Sequence, residues 1–249
     1  MAVRKLQPKT LDRRARSGPR WTDAEVFIFD VEGTLVDAMM PTLRCWRETL
    51  AQFGHDFSLA ELHRLAGMDG DEMLALLLPD VAKPTRKEIV EHEGKRFREE
   101  YLAHIGAIPG VRPLFEQLKR GGCRIALATD CQEDQLRHYL DVTGIESLVD
   151  AISCGDDIKH GKPAPEVIEL ALRRVKAGRK PSVMVGDTPC DAQAAVKAGV
   201  TAVGVLTGHF SAGELEEAGC RAVLRDLRAL RGALPCAHQD ARPMEESVA

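Results

Sequence analysis

Aromatic side chains are scarce in this sequence, at 4% of 249 residues. A core must therefore be assembled from Ala, Leu, Val and Ile, which suits helices layered on a sheet better than an all-β sandwich. Cysteines paired at short spacing are also missing. Cys45, Cys123, Cys131, Cys154, Cys190, Cys220 and Cys236 contain no Cys-x-x-Cys and are odd in number. This argues against a structural zinc site or a disulfide framework, and makes a reducing cytoplasm the expected location. No apolar run approaches the ~20 residues needed to span a bilayer. No apolar stretch near Met1 resembles a secretory leader. Charge of one sign is not in excess, since the net charge is −4 with His neutral. Neither nucleic acid nor a membrane is an expected partner, and an anionic substrate would need local positive groups.

What is present is an ordinary globular balance, 44% hydrophobic and 29% charged, in a chain long enough for one core with an inserted subdomain. Residues 1–22 carry Arg4, Lys5, Lys9, Arg13, Arg14, Arg16 and Arg20 against a single acid, Asp12, and read as a basic flexible arm. Residues 233–249 read as a flexible tail. Between them, short apolar runs alternate with helical patterns. Strands are expected at 25–29, 124–128, 151–153, 182–185 and 201–205, and helices at about 111–120, 133–143, 164–177 and 189–198. That order implies an α/β fold, a doubly wound parallel sheet with helices on both faces. The interval 42–105 breaks the alternation. It is helical in pattern throughout and reads as an inserted α-helical cap, leaving 23–41 and 106–232 as the core.

Ligands of such sheets bind beyond the carboxyl ends of the strands, and four of those ends carry reactive residues. The first reads Asp30-Val31-Glu32-Gly33-Thr34. A carboxylate can attack phosphorus and split one hard step into two, a second can move the proton, and Gly33 permits close backbone approach to an anion. Taken alone, an acidic turn with Asp30 as a helix cap explains this loop as well. Thr129-Asp130 follows the second strand and reads equally as an N-cap pair. Lys162 precedes Pro163 in a loop, where it could neutralise a phosphoryl group or simply be solvated. Gly186-Asp187-x-x-x-Asp191 follows the fourth, and its acids suit a hard cation or a helix cap.

These segments, in this order, resemble the four motifs of the haloacid dehalogenase (HAD) superfamily over roughly residues 24–230. Lys162-Pro163-Ala164-Pro165 and the Gly-Asp-x-x-x-Asp run are the most specific parts. The helical insertion after the first motif is similar to that family's small cap, and the chain most looks like the phosphoglycolate phosphatase and β-phosphoglucomutase branch. The resemblance implies a Rossmann-like HAD core and a Mg²⁺-dependent phosphatase that hydrolyses a small-molecule phosphate monoester through an aspartyl phosphate. By it, Asp30 is the nucleophile and Glu32 the general acid/base. The Asp30 carboxylate, the Glu32 backbone carbonyl and Asp187 hold Mg²⁺, with Asp191 behind them orienting waters or Lys162. Thr129 and Lys162 hold phosphoryl oxygens, and Gly33, Thr34 and Asp130 are expected against the substrate. A phosphomutase of the same fold and a non-catalytic regulatory or binding protein are the alternatives.

Two positions depart from the family pattern. Glu32 stands where Asp is usual, on a stem one methylene longer, although enolase-phosphatases of the superfamily look similar here. Asp130 stands where Asn is common, and an extra acid there should weaken phosphate binding unless it is paired or turned away. The cap loop expected to face the site, 66–72, holds no Arg or Lys. Arg64 and Arg44 lie nearby and read as solvated or helix-pairing charges. The oligomeric state is left open.

Overall fold

A computed structural model describes residues 20–235. The expected basic arm therefore lies outside the described residues up to residue 19, and the expected tail lies outside them from residue 236 onward. Trp21 belongs to a 3-10 turn, Trp21–Asp23, and packs against the core, while Leu234 is buried in it.

The chain runs through β1 (Val26–Phe29), α1 (Met39–Gln52), α2 (Leu59–His63), α3 (Gly70–Leu77), α4 (Lys83–Arg96), α5 (Val111–Arg120), β2 (Arg124–Ala128), α6 (Glu133–Thr143), β3 (Ala151–Ser153), α7 (Glu166–Arg174), β4 (Ser182–Gly186), α8 (Pro189–Lys197), β5 (Thr201–Val205), α9 (Ala212–Ala218), β6 (Cys220–Leu224) and α10 (Leu227–Ala233). The six strands are all parallel, in the order β3-β2-β1-β4-β5-β6. The five strands and four core helices expected from the sequence lie where their patterns put them, to within a few residues. β6, α9 and α10 were not anticipated. β6 lies at the sheet edge with its residues only partly buried and Arg221 in its middle, so it lacks the apolar run that marks the inner strands.

β1 sits at the centre, paired with β2 on one side and β4 on the other. Its four apolar residues are all buried because helices cover both faces of the sheet. Strand alternation sends Phe27 and Phe29 to one face and Val26 and Ile28 to the other. On the first face Phe29 meets Phe115 of α5, with ring centroids 4.8 Å apart. Helix α5 buries Val111, Leu114, Phe115 and Leu118, the i, i+3, i+4, i+7 stripe of an amphipathic helix. On the second face Val26 and Ile28 share a cluster with Val167 and Ile168 of α7 and Met184 of β4.

The helical segment between β1 and β2 begins at Met39 rather than Thr42. After α4 it continues through a π-helical turn, Phe97–Tyr101, and a 3-10 turn, Leu102–His104. It has an apolar cluster of its own, with Leu43, Trp46, Leu50, Leu62, Leu74 and Ile89, joined by Phe210 and Leu215 from beyond β5. Among the described residues no helix is long and apolar enough to cross a membrane.

The stretch between β3 and α7 is tied down by Asp157. Its carboxylate accepts from Arg174 Nη1 and Nη2 at 2.6 and 2.7 Å and from the Cys154 backbone N–H at 3.0 Å. The Arg174 guanidinium holds this carboxyl down at about 2, from an ordinary value of 3.8. A depressed carboxyl contributes stability that is complete above its unfolded-state value and is lost as pH falls through the folded one. Denaturant midpoints measured between about pH 4 and pH 2 should therefore fall less steeply in Asp157→Asn than in the parent.

Candidate active site

Three central strands end on polar residues at one edge of the sheet. Asp30 follows β1, Thr129 follows β2 and Asp187 follows β4. The parallel register aligns Phe29 with Leu127 and with Val185, so the ladder itself brings these residues side by side. The Asp30 N–H donates to Val185 O at 2.9 Å, and the Thr129 N–H donates to Ser153 O at 3.1 Å, which extends the sheet into the site. Lys162 arrives from the loop after β3. Asp191 arrives from the first turn of α8, where Thr188 is the N-cap, Pro189 opens the helix and Asp191 closes a capping box.

Lys162 is 3% exposed. Its Nζ donates to Asp30 Oδ1 at 2.5 Å and to Asp191 Oδ1 at 2.8 Å. The second oxygen of Asp191 accepts from the Thr188 N–H and hydroxyl at 3.0 and 2.7 Å. Burial opposes the ammonium, yet Asp191, Asp30 and Asp130 together hold the Lys162 pKa well above its ordinary value. Burial also pushes the Asp30 carboxyl up to about 8, against the pull of Lys162. Asp187 is raised well above the carboxylate range, by burial first and then by the charges of Asp30 and Asp191.

Carboxylate oxygens of Asp30, Asp187 and Asp191 lie within 4.8 Å of one another. Those of Asp191 are already engaged by Lys162 and Thr188. Asp187 accepts from the Thr34 hydroxyl at 2.5 Å through Oδ1, while its buried Oδ2 has no partner. An unpartnered carboxylate oxygen among crowded, buried acids is a donor set suited to a hard divalent cation. The side chains at hand fit such an ion, which Asp30 and Asp187 could hold, since the Asp191 oxygens are already engaged.

The remaining residues singled out from the sequence are distributed unevenly. Glu32 lines the same cavity, and its Oε1 accepts from the Tyr139 hydroxyl at 2.7 Å. Burial raises the Glu32 carboxyl above its ordinary value, with the Tyr139 hydrogen bond opposing the rise. Asp130 also faces the cavity. Its Oδ2 accepts from the Lys162 backbone N–H at 2.8 Å, so it orders the loop that delivers Lys162. Thr34 and Gly33 were expected against the substrate but take no part in the lining. Thr34 is fully buried beneath Asp187. Gly33, at φ +82°, packs so closely on the Asp187 carboxylate that a Cβ there would overlap it. Both therefore serve Asp187.

The cavity over these residues has a volume of about 370 Å³ and is roofed by the helical segment. Trp46 of α1, Glu93 of α4, and Arg98 contribute to it, and none of the three was legible as a site residue in the sequence. Arg44 and Arg64 are exposed and lie outside the lining, as their reading as solvated charges implied. Tyr139, from α6, was also missed. Its only signal is its place in the buried stripe of that helix, which any core tyrosine shares.

The family model described as haloacid dehalogenase-like hydrolase matches residues 27–205, and the chain belongs to that family of hydrolases. A phosphorylated carbohydrates phosphatase from Thermotoga maritima is 29% identical over 207 residues, 81% of this chain and 94% of the relative. A phosphoglycolate phosphatase from Aquifex aeolicus is 26% identical over 184 residues, 74% of this chain and 85% of the relative. The crystal structure of a hydrolase from Pseudomonas syringae superposes with a TM-score of 0.79 at 28% identity, covering 84% of this chain and 97% of that one.

Thr34→Val keeps the shape of the side chain and leaves both Asp187 oxygens without a donor. Stripping a buried carboxyl of its hydrogen bond costs about 1–3 kcal/mol. Denaturant unfolding of the variant should show a loss of that size, and an unchanged midpoint would contradict the assignment of Thr34 to Asp187.

Proposed function

We propose that the chain is a Mg²⁺-dependent phosphatase that hydrolyses a small-molecule phosphate monoester through an aspartyl phosphate on Asp30. The observation that carries this reading is the position of Asp30. It ends the central strand with Lys162 on one oxygen and the unpartnered Asp187 oxygen nearby. Relatives named as phosphatases of phosphorylated carbohydrates and of phosphoglycolate support the choice of a phosphate ester. In this reading the helices of 42–105 act as the cap over the core, and the cytoplasm, where phosphate esters abound and thiols stay reduced, is the place of work.

The Asp30 and Asp187 carboxylates and the Glu32 backbone carbonyl would hold Mg²⁺, which would supply positive charge to keep Asp30 ionised and offset the charge of the phosphoryl group. Lys162 and Thr129 bind the non-bridging oxygens and hold phosphorus in line with the free lone pair of Asp30. Asp30 attacks phosphorus as the bond to the leaving oxygen breaks. Glu32, whose carboxyl burial raises above its ordinary value, gives a proton to that oxygen. The resulting Glu32 carboxylate then takes a proton from water, and this water attacks the phosphorus of the aspartyl phosphate. Inorganic phosphate leaves, and Asp30 returns as a carboxylate. Tyr139 fixes the Glu32 carboxyl through Oε1, so the longer side chain at this position has a support of matching reach.

The test is release of p-nitrophenol from p-nitrophenyl phosphate. Activity should require Mg²⁺, vanish with EDTA and return when Mg²⁺ is restored. Asp30→Asn should lower kcat by on the order of 10⁴-fold. No turnover of a panel of phosphate esters by folded, Mg²⁺-bound protein would sink the proposal and favour a binding protein on the same fold.

A further inference from the structure

The carboxyl of Glu32 takes no part in the hydrogen bonds that join Lys162 to Asp30 and Asp191. Among the described residues its one hydrogen bond comes from the Tyr139 hydroxyl, which donates to Oε1 at 2.7 Å. Both ends of this bond are fixed. The Gly33 N–H donates to Val36 O at 2.8 Å and Glu32 is bridged to Val36, so the backbone that carries the acid is closed into a turn. Tyr139 is 1% exposed and belongs to the buried stripe of α6 with Leu136, Leu140 and Thr143. It lies one turn beyond Gln135, which lines the cavity. Its ring is therefore packed in the core while its hydroxyl reaches an acid of the cavity lining.

This bond distinguishes the two oxygens of Glu32. A phenol has one proton, and Tyr139 donates it to Oε1, which acts as the acceptor. A proton carried by the Glu32 carboxyl must then sit on Oε2. That oxygen has no hydrogen-bond partner among the described residues and is not sealed from solvent, so it is the one left to meet a leaving group or a water. The length of the side chain matters as well. Asp, usual at this position in the family, would draw the carboxyl back by one bond toward the turn, and a ring locked in a close-packed core cannot follow it. The Tyr139 hydroxyl would be left buried without its acceptor. A misplacement of about 1 Å at a reacting group can cost on the order of 100-fold.

We infer that Tyr139 is the positioning residue of the acid step. It holds Oε1, leaves the transferable proton on Oε2, and commits position 32 of this chain to Glu. The inference rests on the phosphatase reading above.

The experiment compares kcat/KM, with Mg²⁺ present, for benzyl phosphate and p-nitrophenyl phosphate, because kcat/KM reads the steps up to loss of the leaving group. Both leaving groups are aromatic, but benzyl alcohol departs only with a proton, whereas p-nitrophenolate departs without one. Tyr139→Phe keeps the ring and removes the hydroxyl. It should lower kcat/KM for benzyl phosphate by about tenfold or more, and the loss on p-nitrophenyl phosphate should be smaller by about fivefold or more. Equal losses on the two esters would mark a purely structural tyrosine and overturn the inference. Glu32→Asp should be slower than the parent on benzyl phosphate by about tenfold or more. In that background Tyr139→Phe should cost less than about threefold, because no carboxyl is then within its reach. A faster Glu32→Asp, or an equal cost of Tyr139→Phe in both backgrounds, overturns the inference too. Should Tyr139→Phe fail to fold, the comparison of Glu32→Asp with the parent on the two esters still decides. Turnover of p-nitrophenyl phosphate but not of benzyl phosphate by the parent rejects this inference alone, because no acid would then be acting. No turnover of either ester by folded, Mg²⁺-bound protein rejects the phosphatase reading and this inference with it.

Discussion

The Lys162 ammonium lies between the carboxylates of Asp30 and Asp191, and all three side chains are almost completely buried. Removing such charges from water is expensive, and removing one partner from a buried pair costs about 3–5 kcal/mol because it strands the other. The arrangement therefore fixes three distant parts of the chain together: the end of β1, the loop after β3 and the first turn of α8. Each anchor is itself held. The β1–β4 ladder holds Asp30, the Asp130 carboxylate holds the Lys162 backbone, and the Thr188 capping box holds Asp191. These second-tier contacts are the ordinary means by which strands and helices finish, and here they also set the geometry of the site.

One ammonium does not balance the acids around it. Asp30 and Asp187 are both raised by burial, and neighbouring carboxylates push them further. The surplus of negative charge and the orphaned Asp187 oxygen are two expressions of the same imbalance, and a divalent cation is the simplest group that corrects it. The same electrostatics bears on the two departures from the family pattern. Glu32 is not a stray longer acid, because Tyr139 receives it. Asp130 is half engaged, because one oxygen binds the Lys162 loop while the other is buried without a partner. The Glu32–Tyr139 pairing weakens the case for a detuned, non-catalytic member of the family.

Much of this was legible in the sequence because the information is local. Val26–Phe29 is an unbroken apolar run ending in an acid, and Thr188-Pro189-x-Asp191 is a capping box readable from four letters. The parallel order followed from strands separated by helices, and that order placed Asp30, Thr129 and Asp187 at one edge. What escaped depends on contacts between distant residues. The Tyr139–Glu32 bond joins positions 107 apart, and the Thr34–Asp187 bond joins positions 153 apart. The family resemblance put Thr34 against the substrate, whereas its side chain is buried with its hydroxyl on Asp187. β6 escaped because an edge strand carries only part of the burial that produces a pattern. Glu93 and Arg98 escaped because a charged residue on a charged helix gives no sign of which side faces a cavity.

The central claim is that Asp30 carries the phosphoryl group. The most direct measurement is a crystal structure of the protein with Mg²⁺ and beryllofluoride, a stable mimic of a phosphoryl group on a carboxylate. The account predicts beryllium bonded to an oxygen of Asp30, with Lys162 Nζ and Thr129 Oγ1 on its fluorines and Asp187 on the metal. Beryllofluoride bonded to another carboxylate, or an unmodified Asp30 in a site that holds Mg²⁺, would contradict it.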